Sequence, residues 1–234
     1  MPALVALDVH ADPVRWRGAG FEVDADGGCR VGAVRLRLVA PPPGERGAVA
    51  GWAFEGLVTP DHEIDGIPTA GGTRPAGAPP AHPNGAISVD HVVVTTPDVG
   101  RTIAALERCG LEARRERATV VGGRSMRQVF LRPGEAIIEV VGPAEPGGDG
   151  RARFFGLTFT VGDLASTAAL LGDDLGQAKD AVQPGRRIAT VRASAGLGVP
   201  VALMSPDPAG RPARQPSSDG SPSSVPPAAG SSVA

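Results

Sequence analysis

Asp90-His91 sets a carboxylate beside an imidazole inside a β-branched run, and Glu139 stands in a second such run, Ile137 to Val141. Brought together by neighbouring strands, an imidazole and a carboxylate can share a proton near neutral pH, the elementary requirement for general acid–base work. The structural reading of the same residues is a buried histidine hydrogen-bonded to Glu139 or to a backbone carbonyl. A second group lies between Arg115 and Arg132. Strand alternation puts Arg124, Met126, Gln128, Phe130 and Arg132 on one face, and Arg115 with Arg117 on one face of the preceding run. Guanidinium, amide and one aromatic suit a planar carboxylate or a conjugated, weakly acidic molecule. Against that, Glu112 and Glu116 are near enough to pair with some of the arginines. Asp61-His62-Glu63 with Asp65 has the composition of a metal cluster but no framework to fix it, so a solvated polar loop is expected there. His82, before Pro83, is expected to be a loop residue as well.

The elements that must position these groups are most readable over residues 87–143. Ile87 to Val94 reads as a strand, and Pro97-Asp98 starts a helix whose Ile103, Leu106 and Cys109 form an apolar stripe ending at Gly110, placed for a left-handed cap. Leu111 to Val120 and Arg124 to Arg132 are strands joined by Val-Gly-Gly, and Pro133-Gly134 turns the chain into Glu135 to Val141. Residues 153–206 repeat this order. With Asp163 set against Asp98, and Ser205-Pro206 against Gly142-Pro143, Gly156 falls opposite His91 and Ala202 opposite Glu139. Neither can coordinate a metal through its side chain. Phe154, Phe155 and Phe159 are expected in the core of this repeat.

The strand, helix and three-strand order, with Asp90-His91 in its first strand and Ile137-Ile138-Glu139-Val140-Val141 in its last, resembles the module of the vicinal-oxygen-chelate superfamily. That superfamily includes glyoxalase I, the bleomycin-resistance proteins and the extradiol dioxygenases. The resemblance implies an α+β fold in which tandem βαβββ modules, 87–143 and 153–206, form one curved, cup-shaped mixed sheet. It implies that His91 and Glu139 bind a divalent metal ion and that Arg124, Gln128 and Phe130 contact a small-molecule ligand on the concave face. Metal enzymes of the superfamily draw three or four ligands from both halves of the cup, whereas this chain offers two. Two functions therefore follow from the resemblance. One is a glyoxalase-like protein with an incomplete metal site that binds a small, anionic or conjugated molecule, as bleomycin-resistance proteins do. The other is a metal-dependent lyase or dioxygenase whose site a dimer partner or the substrate completes. A homodimer pairing 87–143 with itself would bring two His-Glu pairs together.

The remaining chain is expected to be less regular. Residues 1–60 read as a degenerate half-module on the edge of the main sheet, with Asp12-Pro13 as a helix start that puts Val5 at the place of His91. Residues 61–86 read as a Pro/Gly-rich linker and 207–234 as a disordered tail. With 41% hydrophobic residues and a net charge of −2, the chain has material for a real core and no basic excess for non-specific nucleic-acid binding. No apolar run approaches a membrane span and no export signal is evident, so a cytoplasmic location is expected. Cys29 and Cys109 lack metal or disulfide spacing. Lys179 is the only lysine among 23 basic residues and tyrosine is absent, a composition that points to a GC-rich bacterial genome. Dinucleotide, Walker and G-x-S-x-G motifs are all missing, which argues against nucleotide binding and serine hydrolysis.

Overall fold

The computed structural model describes residues 1–41, 44–58 and 62–208. Asp61 of the acidic-histidine cluster and residues 209–234 of the expected tail lie outside the described residues. The first half contains β1 (Ala3–His10), α1 (Pro13–Gly18), β2 (Gly28–Val31), β3 (Val34–Val39), β4 (Ala48–Glu55), β5 (Glu63–Ile64) and β6 (Ile67–Gly71). The second contains β7 (Ala86–Thr95), α2 (Val99–Arg108), β8 (Ala113–Val121), β9 (Arg124–Leu131) and β10 (Ile137–Pro143), followed by β11 (Arg153–Val161), α3 (Leu164–Leu171), β12 (Lys179–Asp180), β13 (Arg187–Thr190) and β14 (Val201–Met204).

In the second half, β7–β10 and β11–β14 each follow the strand, helix, three-strand order, and each closes by pairing its last strand parallel to its first. Antiparallel pairing of β7 with β11 joins them into one eight-stranded sheet, β12-β13-β14-β11-β7-β10-β9-β8, curled into a cup. Local chemistry sets the punctuation. Asp98 caps α2 by accepting from Arg101 N at 2.9 Å, and Asp163 caps α3 by accepting from Ala165 N at 2.9 Å. Gly122 and Gly123, at φ +57° and +78°, make the tight turn of the β8–β9 hairpin, which non-glycine residues would resist.

The N-terminal segment differs from expectation. It does not add to the edge of the main sheet but forms its own six-stranded sheet, β2-β3-β1-β4-β6-β5, with β1 and β4 paired antiparallel at its centre. Part of the expected linker supplies β5 and β6, joined by Asp65-Gly66 with both residues at positive φ. The rest of that linker is pinned. His82 accepts from Glu22 N at 2.9 Å and bonds Arg30 O at 3.0 Å, while Asn84 Nδ2 donates to Ala19 O and Thr167 Oγ1 donates to Asn84 O. A Pro/Gly-rich segment thus stays ordered because its polar groups are satisfied by elements on both sides.

One hydrophobic core runs between the two sheets. Val92, Val94, Ile138, Val140, Leu157, Phe159 and Leu203 supply the buried side of the large sheet. Trp16 of α1 packs its ring 6.0 Å from Phe159 and 4.8 Å from Phe21, and Trp52 of β4 stands 5.0 Å from Phe154. Phe154 and Phe159 are therefore core residues, but Phe155 is 59% exposed, contrary to expectation. A bulge between Phe154 and Gly156 leaves Phe155 as the extra residue and takes it out of the alternation that carries Leu157 and Phe159 into the core.

Candidate functional site

The concave face carries a polar chain that crosses five strands. Its centre depends on a bulge. Val89 pairs with Phe159 and His91 with Thr158, leaving Asp90 as an extra residue on β7. The bulge brings the side chains of Asp90 and His91 together, where strict alternation would send them to opposite faces. Asp90 Oδ1 lies 3.0 Å from His91 Nδ1, and His91 Nε2 lies 3.0 Å from Thr158 Oγ1 of β11. Glu139 of β10 approaches from the other side, with Oε2 at 3.9 Å from His91 Nε2. Glu139 Oε1 accepts from Gln128 Nε2 of β9 at 2.9 Å, and Gln128 Oε1 accepts from Arg117 Nε of β8 at 2.8 Å and also from Arg117 Nη2. At the far end, Asp90 Oδ2 accepts from Thr160 Oγ1 at 2.7 Å and from Arg186 Nη2 at 2.5 Å. The chain is thus bounded by a guanidinium at each end.

Its central groups are mostly buried, with side-chain exposures of 8% for Asp90, 13% for His91, 16% for Glu139 and 10% for Arg186. Burial pushes the Asp90 carboxyl up, but hydrogen bonds from His91, Arg186 and Thr160, with the Arg186 charge, outweigh it and hold that carboxyl well below its ordinary range. Burial raises the Glu139 pKa, and the charges of His91 and Arg117 only partly oppose it.

The ladder reproduces the internal two-fold inferred from the helix caps. Val93 pairs across from Gly156 just as Thr158 pairs across from His91, and Glu139 stands beside Val93 as Ala202 stands beside Thr158. A Cβ on Gly156 would lie 2.6 Å from Pro200 O, so the backbone itself fills that place. The first sheet repeats the bulge in apolar form: Leu4 pairs with Phe54 and Ala6 with Ala53, leaving Val5 as the extra residue. Counting from the bulges puts Ala6, rather than Val5, at the place of His91, and Arg37, paired with Asp8, at the place of Glu139.

No family model matches the chain, and no curated protein matches it in sequence. Solved structures do. A triple mutant of 4-hydroxymandelate synthase from Streptomyces coelicolor superposes with a TM-score of 0.57 at 15% identity, over 87% of this chain and 92% of that one. Methylmalonyl-CoA epimerase from Mycobacterium tuberculosis matches 53% of this chain and 91% of its own at 17% identity, with a TM-score of 0.42. The fold is that of the vicinal-oxygen-chelate superfamily. At such identities the likeness concerns the fold alone.

A divalent ion of the kind this superfamily implies can be tested against the donors present. His91 Nε2 and Glu139 are the two candidate ligands, and their two-fold counterparts, Gly156 and Ala202, bring no donor atom. Among the described residues no group of three or more His, Cys, Asp or Glu side chains is arranged to hold a metal. The set does not fit a tightly held transition-metal ion, which takes three or more protein ligands in structural and catalytic sites.

Of the residues expected to contact a ligand, Gln128 belongs to the polar chain and Phe130, paired with Glu139, lies beside it on the same face. Arg124 shares that face but sits exposed at the hairpin tip. Arg117, rather than Arg124, joins the chain. Asp65 is no part of a metal cluster: it accepts from Arg101 Nε at 2.8 Å and from Thr102, tying the β5–β6 turn to α2, while Glu63 pairs with Arg151. The Asp-Gly turn flanked by Ile64 and Ile67 was the available sequence signal for that hairpin. Thr158, Thr160, Arg186 and Phe155 carried no such signal. Beyond Glu139 and Gln128, the same face continues through Thr95, Val141 and Met126 into an open groove of about 490 Å³, rimmed by Arg153 and residues 147–150.

Glu139→Gln is expected to stabilise the protein at neutral pH. The folded-state carboxyl titrates above its unfolded value, so the fold penalises the charged form. That penalty is absent below the unfolded pKa and grows as pH rises through the folded one. The amide retains the acceptor for Gln128 without the charge. Thermal melts should show the variant ahead by roughly 2–4 °C at about pH 8, the response of a chain this size to 1 kcal/mol, with the gap closing toward about pH 4.

Proposed function

We propose that this chain is a glyoxalase-like, bleomycin-resistance-like member of the fold that holds a small organic anion in its cup without a metal ion. The observation carrying this reading is the polar chain itself. His91 and Glu139, the positions from which a metal would be held, are engaged by Asp90, Thr158 and Gln128, and their two-fold counterparts are Gly156 and Ala202. The ligand lies along Phe130 and Gln128, with its charge toward Arg117 and its body on the Thr95, Val141 and Met126 floor. Aromatic and amide groups over a guanidinium favour a planar, conjugated acid. Among the described residues no helix is long and apolar enough to cross a membrane.

The test is elemental mass spectrometry of the purified full chain after dialysis, beside a thermal-shift screen of small organic acids with and without chelator. Metal well below about 0.1 equivalents and ligand shifts unchanged by chelator are expected for such an incomplete donor set. Near-stoichiometric metal that disappears in His91→Ala would replace this reading with the metal-dependent lyase or dioxygenase, completed by a partner chain or by substrate.

A further inference from the structure

The two faces of the β8–β9 hairpin treat their arginines differently. On the convex face, Arg127 forms a two-pronged pair with Glu116, at 2.7 and 3.1 Å, while Arg114, the extra residue of a bulge between Ala113 and Arg115, lies 3.5 Å from Glu112. On the concave face stand Arg115, opposite Phe130, and Arg117, opposite Gln128, and neither has a carboxylate partner among the described residues. Same-face neighbours on a strand are about 6.6 Å apart, so two long guanidinium side chains there can converge on one group. Arg117 is also held in place, because Gln128 accepts two of its donors and Gln128 is in turn anchored on Glu139. Among the described residues its remaining donors have no side-chain partner.

We infer that Arg115 and Arg117 form the anion subsite of the cup, and that the group they take is the dianionic phosphate of a small phosphate monoester whose organic part lies over Phe130 and Met126. This rests on the reading of the cup as a ligand site. Two guanidinium groups on one face, neither in ion-pair contact with a carboxylate among the described residues, match more than the single charge of a carboxylate, and a phosphate monoester brings about −1.5 to −2 charge with three strong acceptor oxygens. The adjoining apolar floor of Val141 and Met126 asks for an organic substituent that inorganic phosphate lacks.

Isothermal titration of the full chain with phenyl phosphate, inorganic phosphate and benzoate at fixed ionic strength tests this. Phenyl phosphate is expected to bind at least about tenfold more tightly than either of the others, and Arg115→Gln and Arg117→Gln are each expected to weaken it by about tenfold or more. Arg127→Gln removes the same charge from the opposite face and should leave the affinity unchanged. Among the described residues Arg115 has no side-chain hydrogen bond or ion pair, so its variant should keep the wild-type Tm. Equal weakening in Arg127→Gln, or benzoate binding as tightly as phenyl phosphate, would overturn the subsite. Inorganic phosphate binding as tightly as the ester would overturn the assignment to a phosphate monoester. Phe130→Ala separates the two readings: phenyl phosphate affinity that depends on both arginines but not on Phe130 retains the anion subsite and removes the cup as the seat of the organic part.

Discussion

Replacing Arg186 with methionine is expected to cost about 3–5 kcal/mol, lowering Tm by roughly 6–20 °C at neutral pH. Arg186 Nη2 lies 2.5 Å from Asp90 Oδ2, and both side chains are at most 10% exposed. The pair is worth little over a well-packed apolar substitute, but removing one partner leaves the Asp90 charge buried with only His91 and Thr160 bonded to it. The pH dependence identifies the cause. In the wild type the depressed Asp90 pKa contributes stability that is present above the unfolded value and is lost as pH falls through the folded one. Without Arg186 the carboxyl keeps the His91 and Thr160 hydrogen bonds but loses the guanidinium's bond and charge, so its pKa rises relative to the wild type, and the variant should lie furthest below the wild type near pH 7 and approach it below about pH 4. Arg186→Met combined with Asp90→Asn removes both charges while keeping an acceptor for His91 Nδ1, and it should recover a large part of the lost stability. Melts followed by circular dichroism across the pH range measure all three. A loss independent of pH, with no recovery in the double variant, would mean that Arg186 acts through packing alone.

Trp16→Ala is expected to cost about 3–5 kcal/mol, the range for emptying a fully buried aromatic site. The ring is 0% exposed, touches Phe21 and Phe159, and its Nε1 donates to Leu197 O at 3.1 Å. These contacts come from both halves of the chain, since Trp16 belongs to α1 while Phe159 and Leu197 belong to the last module. Urea unfolding followed by far-ultraviolet circular dichroism should show a lower midpoint. Trp16→Phe, which keeps most of the volume and loses the indole donor, should fall between the wild type and the alanine variant. An alanine variant with an unchanged midpoint would mean that the two sheets do not share this core.

Much of the fold could be read from residues 87–206 because its signals are local. Asp98 and Asp163 cap their helices whatever packs above them, Gly122-Gly123 turns a hairpin by its own torsions, and the β-branched runs favour strands. The same register located Gly156 and Ala202 opposite His91 and Glu139. The first sheet was harder to read, since β2 and β5 are short and Gly32 breaks what reads as a single run from Val31 to Val39.

The sequence by itself determined which donors the cup has and which it lacks, because a glycine or an alanine cannot coordinate in any conformation. Only the tertiary structure decided how the donors are used. Alternation assigns Asp90 and His91 to opposite faces, and a bulge that exists only through pairing with β11 brings them together. Arg186, the counter-charge of Asp90, stands 96 positions away on another strand connection, and Thr158 and Arg117 reach the same chain from opposite sides of β7, one on the adjacent β11 and the other on the edge strand β8. Such contacts depend on strand order and register, and these are set by which apolar faces bury against one another rather than by any short stretch of residues.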